Sequence, residues 1–168
     1  MSIRIWKQGA LAAVLTSALL GCAQTRPMPA HEMVIRVGQL PFSVDTSTYN
    51  EIASTDFILL KKGQGYISLQ QSSLAEESAS YGMPPEELFQ QLYGDMPPAN
   101  EDILNAKSML INGSVMQKNI SNQKYLAFLF KDRRSTERVF FMPRNQTALM
   151  YVLQVKGEPA QPLFEKGI

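Results

Sequence analysis

Apolar and polar positions change their rhythm twice along this chain. Residues 9–20, GALAAVLTSALL, form one apolar run behind Arg4 and Lys7. From Met33 the spacing shortens to alternation. MVIRV sets Val34 and Arg36 on one face of a strand and Met33, Ile35 and Val37 on the other. Gly38 and Pro41 break this run, and FSVDTSTYNEIAST is rich in turn-forming Asp, Ser, Thr and Asn. DFILLKKGQGYISLQQ reads as a hairpin. Residues 57–61 form one strand, Gly63-Gln64-Gly65 the turn, and residues 66–70 the return.

The middle of the chain moves to helical spacing. Pro84 and Pro85 precede EELFQQLY, and proline suits a helix's first turn. Glu86 and Glu87 complement its positive end, while Leu88, Phe89, Leu92 and Tyr93 share one face. Gly94 ends the helix. A second short helix starts at Asn100, with Glu101 and Asp102 in its first turn and Ile103 and Leu104 facing inward.

From Lys107 onward an antiparallel meander is expected. Asn112-Gly113 divides SMLI from SVMQ as a hairpin turn would; the competing reading makes Gly113 the end cap of the second helix. KYLAFLFK, residues 124–131, is apolar on both faces, as a central strand would be. DRRSTE turns the chain, residues 138–142 form the next strand up to Pro143, and residues 149–155 form the last. Gly157, Pro159 and Pro162 lead into a frayed tail. The expected fold class is α+β, an antiparallel sheet with a C-terminal meander and helices packed on one face.

The opening run is about a dozen residues, shorter than the roughly 20 that cross a bilayer as a helix. Basic start, short apolar core and small residues make a secretory signal pattern. It ends in Leu19-Leu20-Gly21-Cys22, which resembles the lipobox of bacterial lipoproteins. The resemblance implies cleavage before Cys22, a diacylglyceryl group on its sulfur and an acylated amine. One acyl chain holds a membrane marginally, whereas two or more hold it firmly. Residues 1–21 are therefore expected as a cleaved signal, 22–32 as a lipidated tether with two prolines, and 33–168 as a single domain. Ala23, in place of the Asp that often retains such proteins at the inner membrane, favours the outer membrane of a Gram-negative cell.

Loss of the first 21 of 168 residues leaves 147, enough for one core. It also reduces 16 basic side chains to 14, against 15 acidic ones. That balance gives no sign of a nucleic-acid partner. Catalytic candidates are few. His31 is the only histidine and lies in the tether, and Cys22 is the only cysteine. No GxSxG elbow, HExxH pair or phosphate loop occurs. No cofactor and no metal are expected. The acid pairs Glu76/Glu77 and Glu86/Glu87 read as solvated faces. Lys131, Arg133, Arg134 and Arg138 form a basic patch that reads as a solvated turn, with contact to anionic lipid or sugar as the second reading.

One echo stands out. Tyr81-Gly82-Met83-Pro84-Pro85 returns as Tyr93-Gly94-Asp95-Met96-Pro97-Pro98. Tyrosine and methionine are enriched at interfaces, so Tyr81, Met83, Tyr93 and Met96 are candidate partner-binding residues, with core and loop packing as the plainer reading. The element order is similar to the DcrB/PsbP-like family, carried by the hairpin at 57–70, the helix at 86–93, the LING turn and the three terminal strands. That resemblance implies a binding or assembly accessory protein. The expectation is a non-enzymatic, membrane-anchored, periplasm-facing module with an envelope protein partner in secretion, transport or envelope assembly. An enzyme acting on envelope polymers through carboxylates and a structural envelope anchor are the alternatives.

Overall fold

The computed structural model describes residues 32–54 and 57–168. Cys22, His31 and the tether between them lie outside these, whereas Glu32, assigned to the tether, opens the first strand. Among the described residues, nine strands and four α-helices follow in the order β1 (Glu32–Val37), β2 (Leu40–Asp45), β3 (Glu51–Ser54), β4 (Phe57–Lys62), β5 (Gly65–Ser73), α1 (Ala75–Ser80), α2 (Pro85–Tyr93), α3 (Glu101–Ile111), β6 (Val115–Asn119), β7 (Tyr125–Lys131), β8 (Thr136–Pro143), β9 (Leu149–Lys156) and α4 (Ala160–Gly167). Seven strands make one antiparallel sheet, β3-β4-β5-β9-β8-β7-β6, and β1-β2 form a separate hairpin. The protein is α+β, as the alternating patterns require.

Period two explains the two cores. On β7, Ala127 and Leu129 face one side with Val139, Phe141, Tyr151, Leu153 and Val155. The β1-β2 hairpin closes this side through Ile35, Val37, Leu40, Phe42 and Val44, and α4 adds Ala160 and Phe164. Leu126, Phe128 and Phe130 point the other way, where Phe140, Met142, Met150 and Val152 meet Leu88, Phe89, Leu92 and Tyr93 of α2 and Ile103 of α3. Burying one such side chain contributes about 1.5–3 kcal/mol. β7 is thus buried on both faces, although it is next to the edge strand β6 rather than at the middle of the sheet.

Local chemistry sets the helix ends. Pro84 caps α2 with Pro85 in its first turn, and Gly94 ends it. A side chain on Gly94 would collide with Phe128, since a Cβ would lie 2.7 Å from the ring. The Asn100 side chain accepts from the Ile103 N–H at 2.9 Å and starts α3. That helix runs on to Ile111, so the hairpin expected at Asn112-Gly113 is absent. Asn112 is instead the left-handed cap of α3 at φ 44°, followed by Gly113 at φ 72°.

Three other expectations are corrected. The tail is not frayed: Pro159 caps α4, and the buried Ala160 and Phe164 tie that helix to the sheet. Helices therefore flank both faces, α1 to α3 on one and α4 on the other. Pro41 does not end the strand pattern: it sits exposed opposite Arg36 while Leu40, Phe42 and Val44 alternate inward. The turn-rich segment after Asp45 also contains the edge strand β3, whose four residues are all exposed.

Candidate interaction surface

The two echoed segments are drawn together by Gln91, which is 3% exposed. Its amide Nε2 donates to Met83 Sδ at 3.8 Å and to Glu87 Oε1 at 3.3 Å. Its Oε1 accepts from the Ala99 N–H at 2.7 Å. The Lys107 ammonium donates to the carbonyls of Gln91 and Gly94 at 3.1 and 3.2 Å, where the end of α2 gathers negative charge. Tyr81 closes α1 through its own N–H and is half-buried against the core, as is Met83. Met96 is 40% exposed.

Tyr93 differs from the other three. It is 3% exposed and stacks on Phe140 with ring centroids 4.3 Å apart. Burial, followed by the Glu77 charge, pushes its hydroxyl pKa up to about 12. As a candidate docking residue it is corrected to a core residue: no partner can touch a ring sealed between Phe89 and Phe140.

Beside the echo lies apolar surface that the sequence pattern did not single out. Met109 is 80% exposed, Val115 64%, and Leu104 and Leu110 are nearly half exposed. The sequence reading turned this stretch into a hairpin and turned Leu104 inward. As a helix that buries only Ile103 completely, α3 leaves these side chains to solvent.

Pairing places a second unexpected feature on the same side of the sheet. Phe130, Arg138 and Gln154 are neighbours across β7, β8 and β9. Arg138 donates through Nη1 to Ser114 Oγ at 2.7 Å and through Nε to Gln154 Oε1 at 3.4 Å, and its Nη2 lies 3.6 Å from Asp132 Oδ2. Gln154 in turn donates to the Tyr66 hydroxyl. This polar chain ties the α3-β6 turn, β8, β9 and β5 together. Asp132 also accepts the Thr136 and Arg134 N–H groups, and these bonds, with Arg138, hold its carboxyl below the usual range. Arg138 is thus a structural member of the basic patch, whereas Arg133 and Arg134 are exposed.

The acid pairs do not converge. Glu76/Glu77 and Glu86/Glu87 occupy the first turns of α1 and α2, where they complement helix dipoles. On the opposite side of the sheet, a groove of about 630 Å³ lies between the β1-β2 hairpin and α4. Within it Tyr49 donates to Glu158 Oε1 at 3.0 Å. Burial and that carboxylate both raise the Tyr49 pKa. Among the described residues no group of three or more His, Cys, Asp or Glu side chains could hold a metal ion, and no helix is long and apolar enough to cross a membrane. Comparison with known proteins finds no match to a family model, a curated protein or a solved structure.

Proposed function

We propose that this chain is a membrane-anchored bacterial lipoprotein, held by acyl chains on Cys22, whose domain binds an envelope protein partner and carries out no catalysis itself. The observation that carries the binding role is the apolar surface of α3 and β6, with Met109 four-fifths exposed beside Leu110 and Val115. Each of these side chains offers apolar area to a partner, and methionine adapts to irregular partners. Tyr81, Met83 and Met96 extend the same helical layer. The Arg4-to-Cys22 pattern supports the anchor, and Ala23 supports the outer membrane. The element order, with a hairpin, helices and a terminal three-strand meander, supports kinship with the DcrB/PsbP-like family. A role in secretion, transport or envelope assembly fits a tethered module of this kind.

The experiment is metabolic labelling with a palmitate analogue, followed by photo-crosslinking from residue 109 in the labelled membrane fraction. The reading expects label on the wild type, none on Cys22→Ser, and one discrete crosslinked adduct. Equal labelling of both chains defeats the anchor. Labelling without any adduct from residue 109 defeats the docking surface.

A further inference from the structure

The sheet has two unlike ends. The β4-β5 turn after Lys62, the β7-β8 turn at residues 132–135 and the end of β9 at Lys156 share one end, as the pairs Lys62–Gly65, Tyr66–Lys156 and Thr136–Lys156 require. Glu32, where the described chain begins, is at this end too: it pairs with Asp45 and lines the same groove as Lys62.

Cations crowd this end. Among the described residues the ion pairs are Lys61–Glu51, Lys131–Glu137 and Arg138–Asp132. They leave Lys62, Arg133, Arg134 and Lys156, all exposed, without a carboxylate in contact. The acids Glu32, Asp45 and Glu158 keep their charge and share the groove beneath the hairpin with Lys62 and Lys166, whereas Arg133 and Arg134 project from the β7-β8 turn beside Asn112 and Gly113, so the cationic surface is centred on that turn. The helical layer, by contrast, carries Glu76, Glu77, Glu86, Glu87, Glu101 and Asp102 at its helix starts.

We infer that this basic end is a contact surface for anionic phospholipid, so that the domain lies against its own membrane with the β4-β5 and β7-β8 turns facing the headgroups. The inference rests on the lipid-anchor reading for the membrane's presence, but not for its chemistry. Each Lys or Arg near an anionic surface contributes about 1 kcal/mol, or about fivefold in partitioning.

The test is cosedimentation of the unlipidated Cys22→Ser chain from residue 22 onward. The described residues enclose both cores within one unit, so this chain keeps the whole fold. The probes are vesicles of phosphatidylcholine alone and of phosphatidylcholine mixed equally with phosphatidylglycerol. Binding is expected only to the second, with Arg133→Gln/Arg134→Gln reducing it tenfold or more. Arg36→Gln/Lys124→Gln removes as much charge from exposed positions at the other end and is expected to bind like the parent. Unchanged melting of both double variants verifies the fold. Equal loss in the two variants, no dependence on phosphatidylglycerol, or displacement by inorganic phosphate at constant ionic strength would overturn the inference. Failure of Cys22 labelling in cells would defeat the anchor and leave this result standing.

Discussion

Replacing Tyr93 with alanine separates core from surface in the echoed segments. Tyr93 is 3% exposed, tilted against Phe89 at 5.2 Å and stacked on Phe140 at 4.3 Å. Cutting a buried aromatic to Ala costs about 3–5 kcal/mol, because transfer energy is lost and a cavity remains. The stacked pair adds about 0.5–1.5 kcal/mol of that interaction. For a domain between the small and mid-sized classes, this lowers the melting temperature by roughly 10–20 °C. Tyr81 is half-buried and belongs to no ring pair among the described residues. Tyr81→Ala is expected to cost about 1–2 kcal/mol and to lower melting by roughly 3–8 °C. Its larger effect is expected on crosslinking to the partner. The assay is thermal unfolding followed by circular dichroism, with the two variants side by side. A Tyr93→Ala chain that melts within about 3 °C of wild type would refute the sealed helix-sheet core. An equal, large drop for both variants would return Tyr81 to the core as well.

Two smaller predictions follow. Tyr93 ionises near pH 12 in the folded chain and near its ordinary 10.0 when unfolded, so above pH 10 the unfolded state loses its proton first and stability falls as pH rises towards 12; wild type is expected to lose about 1–3 kcal/mol more than Tyr93→Phe over that range in urea titrations, and parallel curves would contradict it. Asn100→Ala removes the acceptor of the Ile103 N–H and is expected to cost about 1 kcal/mol in the same titrations, whereas an unchanged midpoint would show that α3 does not depend on its cap.

Where one local signal had one structural meaning, the sequence was readable. The β4-β5 hairpin, α2 between Pro84 and Gly94, and the two-faced strand β7 all follow from spacing and turn chemistry. Asn112-Gly113 was misread because an Asn-Gly pair suits both a tight hairpin and a left-handed helix cap. The deciding feature, a helix capped at Asn100, lies a dozen residues earlier and buries only Ile103 completely. Pro162 reads as a breaker, yet it sits in the first turn of α4, where a missing N–H leaves no helical bond unmade. The surface was less legible than the fold. Exposure of Met109 and burial of Tyr93 depend on which face each helix turns to the sheet. The basic end depends on three turns, far apart in the chain, meeting at one edge of the layer. The signal around Cys22 is contiguous in residues 4–22, and that residue lies outside the described ones.

Lipid labelling at Cys22 tests the central claim most directly. Cells growing on an alkyne analogue of palmitate express either the wild-type chain or Cys22→Ser, and the isolated proteins are compared for label and mass. A membrane-anchored lipoprotein predicts a labelled wild-type chain that starts at Cys22 and carries acyl groups, alongside an unlabelled, uncleaved Cys22→Ser chain. A wild-type chain without label, or equal label on both, would contradict it.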